Sequence, residues 1–268
     1  MFSILIVSRK KGNGDSKLLD LLTSLWDNSL YKNNFEVLIK FDSDDEEGLK
    51  LISEFSKFQF PIKYLIDNRG NGRIDLHLSY NKLLPLANRI SSLFTTFADD
   101  FLPLPQWDLT IELALKQIIG DIFIIQYTYH PPNTRPDYQT EPFYMGYNLN
   151  EIEDIISLEI APILSRSLLF LCGGWGNVSF TDIWSYYLQR LLWDLYNIKI
   201  TFFTDKQYVK RVDPQGAWRT SEQVQEKINE DIKNFNFIKS DYFKESVRIQ
   251  VDNIMRYLRF SNFTRTQR

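Results

Sequence analysis

Two adjacent carboxylates, Asp99 and Asp100, interrupt the stretch LFTTFADDFLPLPQWD (93–108) directly after an apolar run. Neighbouring like charges repel, and neither is buried without a partner. Carboxylates at a strand tip suit a divalent cation, which offsets their repulsion and bridges a diphosphate. They equally suit an exposed loop in which one of them caps a helix. A second acidic group, FDSDDEEG (41–48), follows another apolar run. Asp42 and Asp44, nearest that run, could accept hydrogen bonds from a ribose or a base. Asp45, Glu46 and Glu47 suit the start of a helix, where negative charge meets the dipole. In DNRGNGRIDLHLSYN (67–81), Gly70 and Gly72 permit close backbone approach, and Arg69 and Arg73 could meet phosphate or a carboxylate. A glycine turn before a helix explains the same residues, and His77 reads as a packed or surface side chain. In GGWGNVSFTD (173–182), glycines beside Trp175 make a loop on which a sugar could stack. Asp182 could be a general base or a first-turn helix acid. Lys210 and Arg211 could close over a leaving diphosphate or sit on a solvated turn. GNG at 12–14 lacks the third glycine of a dinucleotide loop, with Lys17 in its place, and no Walker lysine pattern exists.

These residues need elements to hold them. Apolar, β-branched runs at 2–7, 35–41, 62–66, 93–97, 121–129 and 198–203 read as strands. Between them lie helical patterns. Leu18, Leu21, Leu22 and Leu25 share one face of a first helix, which Asp15 or Ser16 could cap. A second helix spans 49–58, and a later one begins near Asp182 with Trp184, Leu188, Leu191 and Leu195 on its stripe. Such alternation predicts an α/β fold, a mostly parallel sheet with helices on its faces. Ligands then bind beyond the carboxyl ends of the strands. HPPNTRPDYQTEPFYMGYN (130–148) reads as a surface excursion that shapes a pocket. Beyond Thr220 the pattern is helical only, and the last helix carries Phe243, Val247, Val251, Ile254 and Leu258 on one face. The expected division is a domain over 1–219 and a helical extension over 220–268.

Composition bounds the function. With 268 residues, 44% hydrophobic and 15% aromatic, the chain can build a sizeable core. A formal charge of −3 argues against a nucleic-acid binder that relies on bulk attraction. One cysteine excludes an internal disulfide and suits a reducing compartment. With two histidines besides, a structural zinc site is not expected. The N-terminal apolar run is too short for a signal peptide and precedes its basic residues. No stretch approaches the roughly 18 apolar residues of a membrane span. The expectation is a cytoplasmic, soluble protein. Lys244, Arg248, Arg256, Arg259, Arg265 and Arg268 on the last helix and tail suit contact with an anionic membrane, or a docked helix with a snorkelling polar face.

The order of these features is more specific than any one of them. Ser8 and Arg9 end a first strand, Asp42 ends a second, a glycine loop leads to SYNKLLPLA, and FADDF, PQWD and a Gly-Gly loop before an acidic helix start follow. This order resembles the nucleotide-sugar glycosyltransferases of the GT-A fold, especially the large family-2-like group, over roughly residues 2 to 212. The resemblance implies a mixed, mostly parallel GT-A sheet flanked by helices. It implies that Ser8, Arg9, Asp42 and Asp44 cradle the nucleoside, that Arg73, Asn81 and Asp99 serve the nucleotide sugar, and that Asp100 ligates Mn²⁺ or Mg²⁺. Asp182 becomes the base that takes the acceptor proton, with inversion at the anomeric centre. Gly174 and Trp175 fall on the acceptor side. The chain departs from the family at Ala98, where an aspartate often stands, and at Thr181, where a glutamate does. Asp205 is the substitute for an absent histidine ligand. The implied partners are a UDP-, GDP- or dTDP-sugar and a glycan or other hydroxyl acceptor. A sugar nucleotidyltransferase and a degenerate sugar- or partner-binding protein are the alternatives.

Overall fold

The computed structural model describes residues 1–8, 17–71, 75–98, 101–127, 161–176, 181–211 and 236–266, together with positions 229 and 233. The side chains of 181–183, 211 and 262–266 lie outside that description. Seven strands form one sheet in the order β3-β2-β1-β4-β7-β6-β8: β1 Phe2–Ser8, β2 Phe35–Asp42, β3 Ile62–Asp67, β4 Leu93–Phe97, β6 Ile124–Gln126, β7 Ile163–Ser165 and β8 Thr201–Phe203. β5 (Phe101–Pro103) and β9 (Val209–Arg211) form a separate antiparallel pair. β1 is parallel to β2 and β4, β2 to β3, and β6 to β8. β7 runs antiparallel to β4 and β6. The result is a mixed, mostly parallel sheet. The chain crosses from β3 to β4 on the other side of β1, so the strand order reverses between β1 and β4.

The period of two in each strand splits the core into two layers. Ile4 and Ile6 of β1 and Val37 and Ile39 of β2 face α1 (Leu18–Asp27), whose Leu18, Leu21, Leu22 and Leu25 are buried as their spacing predicts. Trp107 and Ile111 of α4 (Trp107–Leu115) complete this layer. Leu5, Leu38, Phe94 and Leu164 face the other layer, built by α3 (Leu76–Leu83), α5 (Arg166–Leu171), α6 (Thr181–Tyr196) and α7 (Asp241–Thr266). Phe243, Val247, Val251 and Ile254 of α7 are fully buried in that second layer, beside Trp184 and Leu188 of α6.

Several boundaries differ from expectation. The fifth run forms a strand only over 124–126, and the run at 198–203 only over 201–203. The second helix is a short α2 (Glu46–Lys50) continued as a 3₁₀ segment to Lys57. α1 starts from Lys17 without a side-chain cap, and the expected caps Asp15 and Ser16 lie outside the described residues. The apolar stretch before Gly173 is β7 followed by α5. Ser165 divides them, its Oγ accepting from Leu168 N–H at 3.3 Å. A continuous apolar run does not distinguish strand from helix, so only the capping serine could have marked this break. Leu195, expected on the α6 stripe, is 48% exposed, whereas its neighbours Leu192 and Tyr196 pack on the core.

Candidate active site at the carboxyl ends of the strands

The register brings four strand ends to one edge of the sheet. Ser8 pairs with Phe41, Asp42 with Asp67, and Phe97 with Ile6. Ser8 is buried at the tip of β1. Asp44 is exposed, whereas Asp45 caps α2 by accepting from Gly48 N–H at 3.0 Å. At the tip of β4, Phe101 N–H donates to Ala98 C=O at 3.0 Å, holding together the two sides of the acidic doublet. Asp99 and Asp100 themselves, like Arg9 and Arg73, lie outside the described residues. The β5–β9 ladder then sets Arg211 opposite Phe101 and Lys210 opposite Leu102. The two basic positions are thus brought by backbone register to within a few residues of the acidic pair. Asp205 is exposed on the turn after β8.

Asp42 is not a solvated loop acid. Its side chain is 7% exposed and forms an ion pair with Lys40, itself 1% exposed, two residues earlier on the same face of β2. Lys40 Nζ also donates to Asn68 C=O at 3.0 Å. Beside it, Lys82 of α3 pairs with Asp67, and this bond, with one from Asn68 N–H, holds the Asp67 carboxyl below its ordinary range. Lys40, Asp67 and Lys82 were not singled out in the sequence, although a lysine inside the apolar run FEVLIKFD needs a partner and the carboxylate at i+2 supplies it. Gly70 adopts φ +65°, and Asn71 folds back on Asp75, its N–H donating to Oδ2 at 2.9 Å.

Across the sheet edge, Asn81 of α3 meets the glycine loop. Its Oδ1 accepts from Trp175 N–H at 2.7 Å, and its Nδ2 donates to Trp175 C=O at 3.1 Å. The Trp175 ring is 2% exposed, 6.2 Å from Tyr80 and 6.4 Å from Trp184 between centroids. This corrects the expectation of a sugar-stacking surface, since both faces of the indole belong to the core. Trp175 Nε1 finds no hydrogen-bond acceptor among the described residues. Gly174 adopts φ +113°, and a Cβ there would stand 2.4 Å from Asn81 Oδ1. Asp182 is in the first turn of α6; its side chain lies outside the described residues. The PQWD segment is structural. Asp108 accepts from Ser29 Oγ at 2.5 Å, Leu30 N–H at 2.9 Å and Tyr31 N–H at 2.7 Å, fastening α4 to the loop after α1.

Hard oxygen donors such as Asp99 and Asp100 are of the type that Mn²⁺ and Mg²⁺ take. Among the described residues no group of three or more His, Cys, Asp or Glu side chains could hold a metal ion.

No protein-family model matches the sequence, and no curated protein does. Solved structures do resemble it. S. aureus TarS 1–349 is 17% identical and superposes with a TM-score of 0.52, over 98% of this chain and 73% of that one. The same TarS fragment in complex with UDP-GlcNAc gives 15% identity and 0.51, over 97% and 73%. The mannosyltransferase PcManGT from Pyrobaculum calidifontis, in complex with GDP-Man and Mn²⁺, gives 12% and 0.50, over 94% and 69%. The fold, a mixed and mostly parallel sheet flanked by helices, is of the GT-A type. Among the described residues no helix is long and apolar enough to cross a membrane.

Proposed function

We propose that the protein is a glycosyltransferase that moves a sugar from a nucleotide-diphosphate sugar to an acceptor hydroxyl, with inversion. The observation that carries this reading is the reversal of strand order between β1 and β4. It gathers Ser8, Asp42 and the flanks of the acidic doublet at the crevice where open α/β sheets bind ligands. The likeness to chains that hold UDP-GlcNAc and GDP-Man with Mn²⁺ supports it. In this reading Ser8, Arg9, Asp42 and Asp44 receive the nucleoside, with the ion pair to Lys40 orienting Asp42. Arg73 and Asp99 serve the diphosphate sugar, and Lys210 and Arg211 add positive charge near the leaving group. Asp99 and Asp100 would hold Mn²⁺ or Mg²⁺, which supplies charge neutralisation to the departing diphosphate. Asp182 takes the proton of the acceptor hydroxyl as that oxygen attacks the anomeric carbon. Acceptor choice is assigned to the loops 130–150 and 173–180, of which 130–150 and 177–180 lie outside the described residues.

A donor screen tests the reading: hydrolysis and transfer are measured for UDP-, GDP- and dTDP-sugars with and without Mn²⁺ or Mg²⁺, in wild type, Asp100→Ala and Asp182→Asn. Metal-dependent cleavage of one donor, lost in Asp100→Ala and reduced in Asp182→Asn by about 10²–10⁴-fold, is expected. Formation of a sugar nucleotide from a sugar 1-phosphate and a nucleoside triphosphate would instead make it a nucleotidyltransferase. Biological activity unchanged in both variants would make it a binding protein.

A further inference from the structure

We propose that Asn81 is a positioning residue that locks the Gly173–Gly176 loop to α3 and thereby sets the start of α6, where Asp182 lies; the catalytic part of this inference rests on the glycosyltransferase reading. The resemblance assigns Asn81 to the nucleotide sugar, but its amide is turned to another use. One end accepts from Trp175 N–H at 2.7 Å and the other donates to Trp175 C=O at 3.1 Å, a bidentate clamp across 94 residues of sequence. An amide is the side chain that presents an acceptor and a donor together, as a peptide group does. The loop is shaped to receive it. Gly174 lies at φ +113°, and a Cβ there would stand 2.4 Å from Oδ1 and 2.9 Å from Cγ of Asn81. The following residues are held from the other side. Trp184 of α6 covers Gly176, where a Cβ would come within 2.2 Å of the indole. Its Nε1 donates to Gln250 of α7 at 2.9 Å, and Gln250 Nε2 returns to Cys172 C=O at 2.9 Å. The loop is thus fixed on α3 by Asn81 and Tyr80, and on α6 and α7 by Trp184 and Gln250.

The neighbouring Lys82 points α3 the other way, pairing with Asp67 at the carboxyl end of β3. One short helix therefore ties the nucleoside edge of the sheet to the loop before Asp182. A base misplaced by a fraction of an ångström costs transfer far more than it costs donor binding. Asn81→Ala should lower kcat for transfer by about 10–100-fold and leave the Kd of the nucleoside diphosphate within about threefold. Asn81→Asp, which keeps the acceptor but sets a second oxygen against Trp175 C=O, should behave alike.

The test pairs these kinetics with hydrogen exchange on the full chain. Faster exchange in both variants at 173–176 and in the first turn of α6, with β1, β2 and β4 unchanged, is the expected result. Unchanged exchange at the loop and α6 overturns the clamp, whatever the kinetics. A nucleoside diphosphate Kd that weakens in step with kcat/KM, at constant kcat, overturns the positioning role and returns Asn81 to the donor. Wild type that binds no nucleoside diphosphate sinks the functional reading alone, and the exchange data then decide the clamp by themselves.

Discussion

Two buried charges at opposite ends of β2 show how single residues set this edge. Lys40 has no room for an ammonium without Asp42 and the Asn68 carbonyl. Lys40→Met withdraws the cation from a buried carboxylate and should cost about 3–5 kcal/mol, read as a lower urea midpoint at unchanged m. The double variant Lys40→Met/Asp42→Asn should recover part of that loss, because no net charge is then left in the site. At the far end, Glu36 is fully buried and accepts from Asn88 N–H at 2.6 Å, Ser3 Oγ at 2.7 Å, Lys63 Nζ at 2.9 Å and Ser91 Oγ at 3.0 Å. Burial alone would push its carboxyl up, but the four donors together outweigh burial and hold it below its ordinary 4.5. A carboxyl whose folded pKa is depressed adds stability above its unfolded pKa and loses it as pH falls through the folded value. Stability should therefore decline as pH drops below 4.5, and Glu36→Gln should flatten that limb while costing about 1–3 kcal/mol at neutral pH. The carboxylates at strand ends were legible in the sequence because they follow apolar runs. Their partners were not, because Lys40 and Glu36 sit inside those runs, and only the register tells which face they share.

At the level of elements, the turn between α5 and α6 depends on two glycines with different constraints. Gly173 and Gly174 both have positive φ, at 75° and 113°. A Cβ at 173 would meet nothing within 4 Å, whereas one at 174 would strike Asn81. Gly173→Ala should thus cost about 1 kcal/mol from backbone strain alone. Gly174→Ala should cost about 1–3 kcal/mol and loosen Trp175, seen as a red shift of tryptophan emission. The glycine pair and the helix after it were visible in the sequence. The burial of Trp175 was not, since an aromatic beside glycines reads the same whether it faces a sugar or the core. Here Tyr80 and Trp184, which decide the matter, come from 95 residues upstream and nine residues downstream of it. β7 escaped notice for a related reason. Its three residues form a strand because β4 and β6 flank them, and no local pattern announces an antiparallel insertion.

Across the whole molecule, the order of strands and helices up to β4 followed from hydrophobic periodicity, and with it the edge at which ligands bind. The last helix shares its core with the sheet: Val251 and Ile254 lie in the same buried layer as Leu5, Leu164 and Trp184. Ile254→Ala should cost about 2–5 kcal/mol and lower a single unfolding transition, seen alike by far-UV dichroism and tryptophan emission. Two separated transitions would show that α7 melts independently of the sheet. The central claim is that the acidic doublet at the tip of β4 grips a cation and through it a nucleoside diphosphate. The direct measurement is a crystal structure of the protein with UDP or GDP and Mn²⁺. The claim requires Asp99 or Asp100 on the metal, the diphosphate on its far side and the base beside Asp42. Nucleotide bound elsewhere, with both carboxylates turned to solvent, would contradict it.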